Sequence, residues 1–110
     1  MTGTVSRRVE IAADHPAFEG HFPGQPLLPG VAILAEVLEA AHADTTLAAC
    51  IGPAPLLGVA KFLAAVRPGA TLAIDFRLGA TALAWTVRNG EQVAASGQFG
   101  RVDIAAAALR

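Results

Sequence analysis

Several residue types that mark common protein classes are scarce in this chain. It contains one cysteine, Cys50, and no tyrosine, and its eight Lys and Arg residues are scattered over 110 positions with a formal net charge of −1. A single cysteine excludes an intrachain disulfide and leaves no cysteine pair around which a metal site could form. Without a basic block or an aromatic RNA-binding signature, we expect no nucleic-acid partner, and no cofactor or metal is predicted.

Long uninterrupted apolar runs are also missing. The longest, "LLPGVAILA", is interrupted by Pro-Gly and is too short to span a bilayer. The N-terminal "MTGTVSRRVEI" lacks the apolar core of a signal peptide. We therefore expect no membrane contact and a cytoplasmic location.

Apolar side chains, in contrast, are abundant. Hydrophobic residues make up 54% of the sequence and charged residues 15%. The length predicts one domain over residues 1–110, and a monomer of this size cannot hide so much apolar surface within itself. A large subunit interface or an apolar ligand tunnel is implied.

The chain reads as a strand, a long loop, a helix and then more strands. Residues 4–11 alternate between apolar and polar side chains, which predicts a half-buried strand. Arg7 is a charged residue on the apolar face of this strand. Prolines exclude regular structure from the following loop, and Pro29-Gly30 then precedes a helix from Val31 to about Ala43 that is apolar on nearly every side. Four extended segments follow as an antiparallel meander, with a hairpin predicted at Asn89-Gly90: 56–65, 71–78, 83–88 and 92–102.

This order predicts an α+β fold in which a curved sheet wraps around a buried helix. The "AAAALR" end of the chain, within residues 103–110, is expected to be a frayed or disordered tail.

Three kinds of residue in the loop and helix could carry chemistry. His21 is a titratable imidazole between Gly20 and Pro23-Gly24, which stiffen the backbone around it. Gly30 at the helix start leaves the first N–H groups unobstructed, which suits a developing oxyanion or a thioester carbonyl. His15 and His42 are expected to be structural.

Glu36 and Glu39 form the third kind. Carboxylates in an otherwise apolar helix are costly to bury unless they are paired, protonated or functional. They lie three residues apart and are therefore near neighbours on one side of the helix. A buried carboxyl has a raised pKa and can act as a general acid; alternatively, both face one wetter edge.

The stretch "DHPAFEGHFPGQPLLPGV", residues 14–31, resembles the loop of the β-hydroxyacyl-(acyl carrier protein) dehydratases of the hot-dog fold. The similarity continues more weakly through "KFLAAVRPGATL" and the strand pair around Asn89-Gly90. It implies a homodimer or larger homo-oligomer that removes water from a 3-hydroxyacyl thioester on the phosphopantetheine arm of an acyl carrier protein, giving the trans-2-enoyl thioester in fatty-acid or polyketide-type synthesis.

The same resemblance implies roles for individual residues. His21 would remove the proton next to the thioester carbonyl, and the Gly30 amide would polarise that carbonyl. Phe22, Val31 and Glu39 are expected to contact the substrate. A helix carboxylate of the other subunit would assist loss of the hydroxyl.

The expected carboxylate position is occupied by Ala35, which cannot donate a proton. Glu36 is the next residue, about 100° around a regular helix, and Glu39 is about 40° away but about 6 Å further along. Three explanations stay open: a π-type irregularity rotates Glu36 into place, Glu39 reaches in directly or through water, or no helix carboxylate acts.

Two other functions compete with dehydration. One is a non-catalytic acyl-thioester-binding subunit that stabilises a catalytic paralogue, as Ala35 suggests. The other is a thioesterase of the same fold, which would need a carboxylate or histidine to activate water.

Overall fold

A computed structural model describes residues 3–16 and 28–103. They form one five-stranded antiparallel sheet with the strand order β1-β3-β4-β5-β2 and two helices. The strands are β1 Gly3–Glu10, β2 Leu57–Phe62, β3 Thr71–Leu78, β4 Ala82–Asn89 and β5 Gln92–Gly100; the helices are α1 Gly30–His42 and α2 Thr45–Ile51.

One face of the sheet packs against α1. Because side chains alternate along a strand, every second residue of β3 and β4 enters the core, and the larger ones there are Leu72, Ile74, Phe76, Leu83, Trp85 and Val87. From α1, Ile33, Val37 and Ala41 complete the same cluster. The α+β architecture of a curved sheet and a helix is confirmed.

The position of β2 differs from the predicted meander. Strands β3, β4 and β5 follow one another in the sheet, but β2 pairs with β5 and forms the far edge. The hairpin is confirmed one residue along from the predicted pair: Asn89 pairs with Gln92, so Gly90 and Glu91 form the loop, with Gly90 at φ 64°.

The sequence had indicated a helix that is buried on all sides, but α1 is not. Its core face is closed, but Val31, Ala35, Glu39 and His42 are exposed along the opposite side. Val31 is 75% exposed. The helix is therefore apolar around most of its circumference, while residues 3–16 and 28–103 cover only one side of it.

The short helix α2 was missed in the sequence. Asp44 caps it, since its side chain accepts a hydrogen bond from the Leu47 N–H at 3.0 Å. The second carboxylate oxygen of Asp44 accepts from Arg7 at 2.9 Å. This ion pair explains how Arg7 is accommodated on the apolar face of β1, because its guanidinium has a carboxylate partner, Asp44, at the start of α2.

Within the described ranges, no helix is long and apolar enough to cross a membrane.

Candidate active site

The predicted site residues divide into two sets. Gly30, Val31, Glu36 and Glu39 all belong to α1 or its first turn. His21 and Phe22 lie outside the described residues.

The first turn of α1 presents backbone donors. Pro29 is extended (φ −62°, ψ 153°), and its carbonyl accepts from Ala32 and Ile33 at 2.9 and 3.1 Å. The N–H groups of Gly30 and Val31 precede these bonds and have no acceptor within the helix, as in any helix start. Together with the positive end of the helix dipole they suit an anion or a polarised carbonyl.

Phe62 at the end of β2 lies directly over this turn. A Cβ added to Gly30 would sit 3.3 Å from the Phe62 ring, which is tighter than ordinary side-chain contact. Glycine at position 30 therefore lets the aromatic ring and the helix start approach closely. The Phe62 ring therefore forms an aromatic wall beside the donor groups.

An apolar surface extends from this point along the sheet edge. We call it the edge patch; its members are Val31, Leu56, Leu57, Val59, Phe62 and Leu63, all exposed. They come from the open side of α1 and from β2 and its flanks. A strand edge with unpaired backbone groups and exposed apolar side chains is a typical association surface.

Glu36 faces its own chain. Its Oε1 atom lies 3.5 Å from Nε2 of His15, with 16% and 25% of the two side chains exposed. Helix α1 is α-helical throughout Gly30–His42, so the π-type irregularity that would bring Glu36 to the place of Ala35 is not present. Ala35 remains on the open side, about 100° away.

Glu39 lies in a groove between β1 and α1. The groove encloses about 220 Å³ and is lined by Arg7, Arg8 and Val9 from the strand and by Glu36, Glu39 and Ala40 from the helix, with Ala43 at its end. Both helix carboxylates thus line the groove toward the first strand. The sequence did not reveal the partnership with His15, because it depends on where the chain beyond β1 returns to the helix.

The remaining titratable groups near the core have structural surroundings. Nε2 of His42 lies 2.9 Å from the Gly52 carbonyl and ties α1 to the end of α2. Burial raises the pKa of the Cys50 thiol, which makes it a poor nucleophile. In residues 3–16 and 28–103, no cluster of three His, Cys, Asp or Glu side chains could hold a metal ion.

The fold and the helix start define the class of protein, and comparison with solved structures agrees. The dehydratase heterocomplex ApeI:P from Xenorhabdus doucetiae superposes with a TM-score of 0.70 at 27% identity, over 89% of this chain and 86% of that one. An uncharacterized protein from Erwinia carotovora gives 0.71 at 30% identity, over 92% and 84%. A fluoroacetyl-CoA thioesterase at 15% identity and TM-score 0.58 shares the fold alone. This is the hot-dog fold.

Sequence comparison then narrows the class to one family. Residues 2–98 match the model of the ApeI-like dehydratases, described as ApeI dehydratase. The chain belongs to the ApeI-like family.

Named relatives include 3-hydroxyacyl-[acyl-carrier-protein] dehydratases FabZ. That of Chloroflexus aggregans is 40% identical over 72 residues, which are 62% of this chain and 50% of the relative. That of Chlamydia trachomatis serovar L2 is 33% identical over 114 aligned positions, 89% and 71%. The chain thus spans about half the length of the first of these curated relatives and more of the second.

Proposed function

We propose that this protein removes water from a 3-hydroxyacyl thioester carried by an acyl carrier protein, giving the trans-2-enoyl thioester. Membership of the ApeI-like family and similarity to FabZ dehydratases support this reaction. The structural observation that carries it is the first turn of α1. Its Gly30 and Val31 N–H groups, which have no acceptor within the helix, lie beside an apolar surface that suits an acyl chain.

The thioester carbonyl would accept hydrogen bonds from these donors. Removing a proton from the adjacent carbon places negative charge on that carbonyl oxygen, and preorganised N–H groups stabilise such charge in a site that excludes water. The Phe62 ring over Gly30 and the exposed Val31 side chain supply the apolar walls. Phe22, next to the proposed base, would extend them.

His21 would act as the base. Its imidazole takes the proton from the carbon next to the carbonyl, the C–O bond at the third carbon breaks, and the electron pair of the C–H bond becomes the new double bond. The leaving hydroxyl must gain a proton to depart as water. The imidazolium just formed on His21 holds one, so a single residue balances the reaction.

This one-base scheme is the alternative that the helix geometry favours. Ala35 has no acid, Glu36 lies against His15, and Glu39 lines the groove with Arg7 and Arg8. Glu36 points to His15 of its own chain and away from the open side of α1. Glu39 is exposed on the open side, but it lies about 6 Å further along the helix than Ala35. We therefore assign proton delivery to His21 and not to Glu36 or Glu39.

We further propose that the edge patch is covered by a second copy of this chain. Pairing of two β2 edges would satisfy their free backbone groups and bury the apolar side chains around Val59 and Leu63. The alternative occupant of the edge patch is a paralogue, since the similar ApeI:P structure is described as a heterocomplex. The helix of that paralogue would then supply the missing acid.

The expected location of the protein remains the cytoplasm.

The reaction is tested with purified protein and 3-hydroxyacyl thioesters of several chain lengths on a carrier protein. The expected result is interconversion with the 2-enoyl thioester, followed by mass spectrometry, without release of free thiol. Thiol release without dehydration would indicate a thioesterase. Activity that appears only when a paralogue is added would favour the accessory-subunit function.

Association is tested by light scattering coupled to gel filtration. The variant Leu63→Lys places a charge in the edge patch and should shift the protein toward monomer. The control Val102→Lys changes another exposed apolar residue outside the patch and should leave the mass unchanged. Equal masses for Leu63→Lys and the unmodified chain would contradict the proposed interface.

A further inference from the structure

The face of the sheet opposite α1 carries a hydrogen-bonded chain across three strands. Ser6 on β1 donates to Oδ1 of Asp75 on β3 at 2.6 Å, and Nε of Arg88 on β4 donates to Oδ2 of the same carboxylate at 2.7 Å. These bonds keep the pKa of Asp75 below its usual range, chiefly through Arg88 and then Ser6. Asp75 is therefore a fixed anion that orients the Arg88 guanidinium.

This arrangement uses only one edge of the guanidinium. The bond to Asp75 is made by Nε, and the two terminal nitrogens of Arg88 make none of the hydrogen bonds found among the described residues. A planar fork with free terminal N–H groups is the geometry that binds phosphate or carboxylate oxygens in pairs. Because Asp75 holds the side chain, less rotamer freedom is lost on binding.

A second arginine lies beside the first. In the sheet register Arg8 pairs with Ala73, and Ala73 pairs with Arg88. Residues in register point to the same side, so the two arginines flank the small side chain of Ala73 with Cα atoms about 10 Å apart, two strand spacings. Two long side chains can converge across this gap on a shared anion.

A cleft lies between them. It encloses about 330 Å³, and its walls are Arg8, Thr71, Leu72, Ala73, Arg88 and Gly90. The Thr71 hydroxyl adds another donor. The acidic residues near the cleft besides Asp75 include Glu10, which pairs with Thr71 in the register two residues from Arg8, and Glu91, which follows Gly90 in the hairpin loop.

We propose that this cleft is an anion site for a phosphate ester. A phosphate group offers three peripheral oxygens and up to two negative charges, which match two guanidinium groups and a hydroxyl better than a single carboxylate does. The inference rests on the residues of the outer sheet face. Only the choice of thioester-carrier phosphates as probes rests on the proposed function.

Binding is measured by NMR titration of the full chain at low ionic strength. The probes are inorganic phosphate, coenzyme A, 3′-dephospho-coenzyme A and 4′-phosphopantetheine. We expect saturable shifts at the Arg8, Arg88 and Gly90 amides with phosphate. Stronger binding of coenzyme A than of its 3′-dephospho form would assign the site to the 3′-phosphate, and equal binding of 4′-phosphopantetheine would assign it to the pantetheine phosphate.

Variants that each remove one positive charge test whether binding depends on the cleft. Arg8→Gln and Arg88→Gln should each weaken binding about tenfold or more, as loss of a charge-assisted contact predicts. Arg77→Gln removes the same charge from the same face of the sheet but outside the cleft. It should change binding less than about twofold at an ionic strength where separated charges are screened.

Asp75→Ala separates orientation from net charge. General electrostatic attraction predicts tighter phosphate binding when an anion is removed, whereas loss of Arg88 orientation predicts weaker binding. Weaker binding supports the proposal. Tighter binding, an effect of Arg77→Gln as large as that of Arg8→Gln, or the absence of saturable shifts would overturn it.

The outcome is independent of catalysis. A chain that dehydrates its thioester but binds no phosphate overturns this inference alone. A chain that binds phosphate in the cleft but has no dehydratase activity overturns the proposed function alone.

Discussion

Oε1 of Glu36 lies 3.5 Å from Nε2 of His15, within one chain. Glu36 is the residue next to Ala35, the position where the resemblance in the sequence predicts a helix acid. Its partner comes instead from the segment that follows β1, only six positions before His21. This contact joins the residues after β1 to α1.

The contact should contribute little stability. Both side chains are partly exposed, and ion pairs of this kind contribute about 0–1 kcal/mol. Glu36→Gln should lower the free energy of unfolding by less than about 1 kcal/mol. Urea denaturation followed by Trp85 fluorescence measures this, since the chain has one tryptophan and no tyrosine. A loss of several kcal/mol would show that the pair is essential to the fold.

Gly97 should tolerate no side chain. A Cβ there would lie 2.4 Å from Cζ2 of Trp85 and 2.8 Å from the Val59 carbonyl oxygen, distances that force the indole or the edge strand to move. Gly97→Ala should destabilise the protein by about 1–3 kcal/mol, as overpacking of a core does.

Gly100 provides the control on the same strand. A Cβ there would make an ordinary 3.8 Å contact with Leu56, so Gly100→Ala should change the unfolding free energy by less than about 1 kcal/mol. Both variants are compared by urea denaturation. Equal stability of the two would contradict the close approach of Trp85 to β5.

Asp44 combines a helix cap with an ion pair, and two substitutions separate them. Asp44→Asn keeps a side-chain oxygen for the Leu47 N–H but loses the charge facing Arg7. Asp44→Ala loses both. We expect a cost of less than about 1 kcal/mol for the first and about 1–2 kcal/mol for the second. Thermal unfolding gives the order, and a larger loss for Asn than for Ala would refute the capping role.

The Asp75 carboxylate should titrate below its usual range. A depressed folded-state pKa means that its stabilising contribution is fully present above the ordinary pKa of an aspartate, about 3.9, and is lost as the pH falls through the lowered value. NMR titration of the side-chain carboxyl measures it. Arg88→Gln should raise this pKa more than Ser6→Ala does, in the order of the two causes. The reverse order would mean that Ser6 holds the carboxylate.

The fold could largely be predicted from the sequence, because apolar side chains alternate along its strands and its main helix is long. Leu72, Ile74 and Phe76 predicted β3, and Pro29-Gly30 predicted the start of α1. Helix α2 was missed because it is only seven residues long and begins with two β-branched threonines, although Asp44 before them is a usable capping signal. The edge position of β2 depends on pairing with β5, which no local pattern specifies.

The geometry of the candidate site was less predictable, because it depends on contacts between residues that are far apart in the sequence. Gly30 follows from local sequence, because a helix start has free donors wherever it lies. The orientation of Glu36 depends on contact with His15, 21 positions earlier in the numbering, and the Arg8–Arg88 cleft depends on the register of three strands. Only the assembled sheet brings these residues together.

The most direct test of the one-base mechanism is the dehydration rate of the purified chain with and without each candidate acid or base. His21→Ala should abolish conversion of the 3-hydroxyacyl thioester, whereas Glu36→Gln and Glu39→Gln should retain activity within about tenfold. General acid catalysis typically contributes about 10²–10⁴-fold. A loss of that size in Glu36→Gln, with the fold intact, would contradict the one-base mechanism.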